Sequence, residues 1–264
     1  MRPLFLILAA AACALAAEPA VTDLPVRDGD LALTGRLALP VAAPPGRIPG
    51  VLVVHEWWGR NAYAERRAVE LAGLGYAALA VDCYGEAASL DFPTAVRRSG
   101  PFYQDPSLFV RRLTPFLAAL RARPEVDPQR IAAIGFCFGG SAVLQLARSG
   151  ADVQAVVAFH PGLKTAAPAT AKPLAAILVA HGGADPFVPP ADVAGFISEM
   201  TAAKADWRME VYGSAVHAFT NPEAGRGVSN VPAEVPFSQA VAHDATAETA
   251  SLAAMRSFLA ERLR

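Results

Sequence analysis

The apolar residues of this chain fall into two alternating patterns. Gly50-Val-Leu-Val-Val-His55, Tyr76 to Val81, Ile131 to Gly135, Val153 to Phe159 and Leu174 to Ala180 are short, nearly unbroken apolar runs. Such runs mark strands covered on both faces. Trp207 to Tyr212 adds another strand. Between them the pattern predicts helices over Asn61 to Gly73, Asp105 to Arg123, Pro190 to Lys204 and Thr246 to Leu263. Asn61 caps the first, which a glycine ends; Asp105 caps the second, with Pro106 at its first position. Leu24 to Leu39 predicts two strands around the turn Arg27-Asp28-Gly29-Asp30, with Leu31, Leu33, Leu37 and Leu39 on one half-buried face. Pro40 to Pro49 is a proline-rich loop. Tyr84 to Tyr103 has no clean period and contains Gly85, Pro93, Gly100 and Pro101, which predicts an irregular excursion over the top of the sheet.

Strands alternating with helices predict an α/β fold: one doubly wound, mostly parallel sheet with helices on both faces, a single domain over residues 18–264. In such sheets ligands gather at the carboxyl ends of the strands.

Composition changes that picture only at the start of the chain. The 264 residues are 53% hydrophobic and 18% charged, enough for one large core, and the net charge of −1 offers no field for nucleic acid or an anionic membrane. Residues 1–17 differ: one basic residue, an apolar stretch, then Ala-Leu-Ala before the first acid. This is the pattern of a secretory signal peptide cleaved after Ala16 or Ala17, too short to span a bilayer comfortably. A periplasmic or secreted protein with no stable membrane contact after cleavage is expected. Cys13 raises a lipoprotein alternative, but Ala10 stands where leucine would be expected. Cleavage leaves Cys83 and Cys137, too few for a disulfide framework. A bond between them would remove a free thiol at 137; the alternative is that Cys83 fills core.

The candidate chemistry sits at one stretch. Ile131 to Gly135 is followed by Gly135-Phe-Cys-Phe-Gly139-Gly140 and then by a helix with Ala142, Val143, Leu146 and Ala147 at helical spacing. Strand, Gly-x-nucleophile-x-Gly, helix is the nucleophile-elbow pattern, with cysteine where serine is usual. The turn strains its central residue and leaves no room for bulky neighbours two positions away. It also places Cys137 at a helix N-terminus, where the dipole favours a thiolate. The alternative is a tight turn holding a buried structural cysteine.

The same sheet edge carries Glu56-Trp57-Trp58 after one strand, Asp82-Cys83-Tyr84 after another, then Asp185 and His217. Nucleophile, acid and histidine follow in that order, 48 and then 32 residues apart, the order of α/β-hydrolases. Cys137 would attack an acyl carbon, His217 would carry protons, and Asp185 would orient the imidazole. The backbone N–H groups of Phe138 and Trp57 would form an oxyanion hole. Asp185 as a helix cap and His217 as a surface-loop residue are the plainer readings. His55, His160 and His181, at strand ends, point to structural hydrogen bonds. Glu56 between aromatics is either a desolvated acid near the nucleophile or the partner of an arginine. No zinc-type spacing and no phosphate-binding glycine loop is present.

The motifs V-L-V-V-H-E-W-W-G, A-V-D-C-Y-G, I-G-F-C-F-G-G, H-G-G-A-D-P-F-V-P and H-A-F-T-N-P resemble the dienelactone hydrolase (carboxymethylenebutenolidase-like) family, from about Leu31 to the final helix. The resemblance implies a monomer-sized α/β-hydrolase with a Cys–His–Asp triad and no metal or cofactor. It matches Cys137, Asp185 and His217 to that triad. It matches Glu56 to a family glutamate that touches the nucleophile and helps turn thiol into thiolate. Family members grip the substrate carboxylate with arginines, one a few residues after the histidine; here Ala218-Phe-Thr-Asn221-Pro222 follows, with no arginine before Arg226. Arg97 and Arg98 are the candidates in its place, and Trp57, Trp58, Phe138 and Tyr84 imply a more apolar pocket. The expected substrate is a small ester or lactone. A thioesterase or acyltransferase on the same triad, or a silent binding module on the same fold, are the alternatives.

Overall fold

The structure, a computed structural model, describes residues 18–42 and 46–264. The expected signal peptide, with Cys13, lies outside the described residues. Among the described residues eight strands form one sheet: β1 (Ala20–Asp28), β2 (Leu31–Leu39), β3 (Ile48–Val54), β4 (Ala77–Val81), β5 (Val126–Phe136), β6 (Ala155–Phe159), β7 (Ala176–Gly182) and β8 (Trp207–Tyr212). Their spatial order is β1-β2-β4-β3-β5-β6-β7-β8. The β1–β2 hairpin adds to β4 antiparallel, and all later pairs are parallel. The chain therefore starts at one edge, enters at the centre and winds outward. This is the α/β-hydrolase architecture.

Strand periodicity divides the core into two layers. Leu52, Val54, Ile131 and Ala133 face one side, packed with helices α3 (Ser107–Arg121), α4 (Phe138–Arg148) and α5 (Pro190–Ala202). Val51, Val53, Ala132 and Ile134 face the other, against α1 (Ala62–Gly73) and α7 (Ala245–Arg262). Asn61 caps α1 as the sequence implies, its side chain accepting from the Ala64 N–H, and the helix ends at Gly73 with Leu74 as its C-cap. Asp105 holds the start of α3 by accepting from the Ser107 N–H and hydroxyl.

Two expectations change. The excursion after Tyr84 is not irregular throughout: residues Phe92–Gln104 form helix α2, capped by Asp91, which accepts from the Thr94 N–H at 2.9 Å. Pro93 sits in its first turn, where the missing N–H costs nothing, and Pro101 lies in its last turn. The proline loop is also shorter than expected, because β3 begins at Ile48 and passes Pro49 through a register shift. A further turn of helix, α6 (Phe237–Ala240), follows β8. Both α2 and α6 lie above the carboxyl edge of the sheet and frame a cavity there.

Candidate active site

Cys137 crosses from β5 to α4 at φ 54°, ψ −111°, a left-handed conformation that a cysteine adopts only under constraint. The glycines explain how. A Cβ on Gly135 would lie 2.0 Å from the Gly139 carbonyl oxygen, and one on Gly139 would lie 2.2 Å from the Val54 carbonyl oxygen. Backbone fills the space on both sides of the turn. The Cys137 N–H donates to the Phe159 carbonyl at 3.0 Å and also reaches His160 Nδ1 at 3.1 Å. His160 Nε2 pairs with Thr220 Oγ1 at 2.9 Å. An amide can only donate, so Nδ1 of His160 accepts and its proton sits on Nε2. Burial holds this imidazole well below its ordinary pKa, and it braces the elbow as a neutral ring.

His217, carried by the loop after β8, forms a 2.7 Å bond from Nδ1 to Asp185 Oδ2 of the loop after β7. Asp185 is buried and also caps its own loop, accepting from the Phe187 N–H at 2.9 Å. Burial opposes a charge on His217. The neighbouring Cys137 and the hydrogen bond to Asp185 outweigh it and raise the imidazole well above its ordinary range. Cys83 and Cys137 are both free thiols, so the disulfide alternative does not arise. Cys83 is core, its thiol pushed up by burial and by the Asp82 charge.

Glu56 is 3% exposed and opens onto the same cavity as Cys137 and His217. Burial raises its carboxyl to about 7, against the hydrogen bond from Asn221 and the nearby His217 and Arg67 charges. Its carboxylate accepts from Asn221 Nδ2 at 2.7 Å. Phe138, as the first residue of α4, carries a helix-terminal amide without an intrahelical acceptor. The Trp57 N–H likewise makes no hydrogen bond among the described residues.

The cavity holds about 520 Å³. Trp57, Trp58, Phe92 and Phe237 make its aromatic wall; the Trp57 and Phe92 rings meet edge-on at 5.3 Å. Among the described residues no arginine or lysine lines it. Trp57 and Trp58 are where the sequence puts them; four other candidates are not in the lining. The Phe138 side chain is fully buried in the core. Tyr84 lies beneath the wall in the core, its hydroxyl donating to the Trp57 carbonyl at 3.2 Å. Arg98 is turned away: Nε donates to Glu86 at 2.8 Å, Nη1 donates to the Ala87 carbonyl at 2.8 Å, and the guanidinium lies over the Tyr84 ring. Arg97 is exposed, within 3.4 Å of Thr94 Oγ1. Among the described residues no cluster of three or more His, Cys, Asp or Glu could hold a metal.

Asn221, inside the H-A-F-T-N-P motif, and the cavity residues Val96, Ser99 and Tyr103 of α2 join the site without having been expected there from the sequence. Phe92, Val96, Ser99 and Tyr103 stand at helical spacing, a signal the prolines and glycines around them obscured.

Comparison with known proteins bears on this geometry. The profile of the Dienelactone hydrolase family matches residues 33–263. An uncharacterized protein of Caenorhabditis elegans is 37% identical over 57% of this chain and 91% of its own. A Bradyrhizobium protein named as a probable 2-oxo-3-(5-oxofuran-2-ylidene)propanoate lactonase is 27% identical over 69% of this chain and 77% of its own. Among solved structures, a dienelactone hydrolase-like promiscuous phosphotriesterase from metagenomic libraries is 36% identical, with a TM-score of 0.85 over 94% of this chain and all of the other.

Proposed function

Because this chain belongs to the dienelactone hydrolase family, we propose that it hydrolyses neutral carboxylic esters or lactones through a thioester on Cys137. One observation carries the reading: the strained Cys137 elbow and His217, held by buried Asp185, open onto one aromatic cavity that no lysine or arginine lines among the described residues. The Cys137 thiol gives its proton to His217, directly or by way of Glu56, and attacks the acyl carbon. The carbonyl oxygen takes up negative charge between the amides of Trp57 and Phe138, each such donor contributing about 3 kcal/mol of barrier lowering. The carbon–oxygen bond to the leaving group breaks as His217 protonates the departing oxygen. Water, deprotonated by His217, then attacks the thioester, releasing the acid and restoring the thiol. Asp185 keeps the imidazole oriented in both halves.

The aromatic wall and the distant Arg98 favour substrates without a carboxylate, since a planar carboxylate is selected by a guanidinium fork. A neutral phosphate triester, the class named for the metagenomic relative, suits the same cavity and is the second reading. The leader pattern of residues 1–17 supports export, which N-terminal sequencing of the mature protein tests. The activity is tested with a neutral p-nitrophenyl ester, its carboxylate-bearing counterpart and a phosphotriester, each on the wild type and on Cys137→Ala. Turnover of the neutral carboxylic ester, lost in the variant, supports the reading. Equal turnover by both proteins contradicts it.

A further inference from the structure

His55 is fully buried behind the cavity, and no step of the proposed reaction uses it. Its Nε2 accepts from the Cys83 N–H at 3.1 Å. The Cys83 amide can only donate, so Nε2 carries no proton and the ring proton sits on Nδ1. Nδ1 in turn contacts the carbonyl oxygen of Glu56, so the bond runs from the imidazole to that carbonyl. The same oxygen accepts from the Gly59 N–H at 3.2 Å. The Glu56 carbonyl and the Trp57 N–H belong to one planar peptide unit, their bonds pointing in opposite directions. A ring that fixes the carbonyl therefore fixes the N–H. The flat face of His55 also stacks on the Phe138 side chain at 5.6 Å and 6°, against the residue that supplies the other amide.

We propose that His55 is a positioning residue for the oxyanion hole, aiming the Trp57 N–H through the Glu56 carbonyl and buttressing Phe138. This rests on the reading of those two amides as the oxyanion donors. Donation to the carbonyl also polarises the peptide unit, making the opposite N–H a stronger donor. The neutral ring suits this task, because a second proton on Nε2 would face the Cys83 N–H.

The test separates oxyanion stabilisation from thiol reactivity. His55→Gln reaches towards Cys83 but loses the donor at the Nδ1 position, whereas His55→Asn keeps a donor there. Three measurements are made on each: kcat for a p-nitrophenyl ester, inhibition by a trifluoromethyl ketone, and alkylation of Cys137 by iodoacetamide, which needs a thiolate but forms no oxyanion. The expected result is a kcat about 10- to 100-fold lower in His55→Gln, with ketone inhibition weakened by a similar factor. Alkylation stays within about 2-fold of wild type, and His55→Asn recovers most of the loss. Alkylation falling in parallel with kcat, or ketone inhibition unchanged, overturns the proposal. Should either variant fail to fold, nitrogen-15 NMR of the wild-type ring decides: protonated Nδ1 with bare Nε2 is expected, and the opposite tautomer overturns it. A wild type whose Cys137 is not alkylated, or which hydrolyses no ester, fails the proposed function itself and is distinguishable from these outcomes.

Discussion

Glu56→Gln exposes the tension between stability and chemistry in this site. Burial raises the Glu56 carboxyl from 4.5 to about 7. A carboxyl with a folded pKa above its unfolded value binds its proton more tightly in the native state. Its contribution to stability is therefore fully present below pH 4.5 and is lost as the pH rises through about 7. At about 1.4 kcal/mol for each pH unit of that interval, the wild type gives up about 3 kcal/mol by ionising this group. Glutamine retains an oxygen to accept from Asn221 and does not ionise, so the variant gives up none of it. Urea unfolding of both proteins at pH 4 and pH 9 measures the effect. Relative to wild type, the variant should gain about 3 kcal/mol between the lower and the higher pH. Turnover should move the other way: kcat/KM falls at least about 10-fold, and the rise of activity through pH 7 flattens, because the thiol has lost a proton acceptor. Stability curves of wild type and variant that stay parallel between the two pH values would refute the reasoning.

Three further outcomes follow from particular contacts. Asp185→Asn leaves an amide where the imidazole Nδ1–H needs an acceptor, so kcat for ester hydrolysis should drop by about 10³- to 10⁴-fold with the fold intact by circular dichroism. Gly139→Ala drives a Cβ to 2.2 Å from the Val54 carbonyl oxygen, and backbone must move; thermal unfolding should show a loss of about 3 kcal/mol or more. Arg98→Ala should leave the ratio of kcat/KM for neutral and carboxylate-bearing esters unchanged within about 2-fold, because Glu86 and the Ala87 carbonyl already hold that guanidinium. A changed ratio would return Arg98 to the site.

Some of this was legible in the chain because it depends on local chemistry. The apolar runs determine β3 to β7, and Gly135 and Gly139 around Cys137 report an elbow into which no side chain fits at those two positions. The 32 residues between Asp185 and His217 are bridged because both sit on loops after adjacent strands β7 and β8. Other features depend on where long side chains turn, which spacing does not encode. Arg98 has Glu86 twelve residues earlier as a partner, and Tyr84 points under Trp57 rather than into the cavity. Helix α2 was masked because Pro93, Gly100 and Pro101 read as breakers, although a first-turn proline and a last-turn proline are compatible with a helix. The contacts of His55 and His160 with backbone at the site are invisible in sequence for a similar reason. Each reaches across from a neighbouring strand end to an amide or carbonyl that carries no residue-specific signal.

The covalent intermediate gives the most direct test. Wild-type protein mixed with a slowly deacylated neutral aryl ester, quenched in acid and digested, is read by peptide mass spectrometry. The account predicts one acyl group on the peptide carrying Cys137, appearing with the first turnover and lost as the product acid accumulates. An acyl group on another residue, or multiple turnovers with Cys137 unmodified throughout, would contradict it.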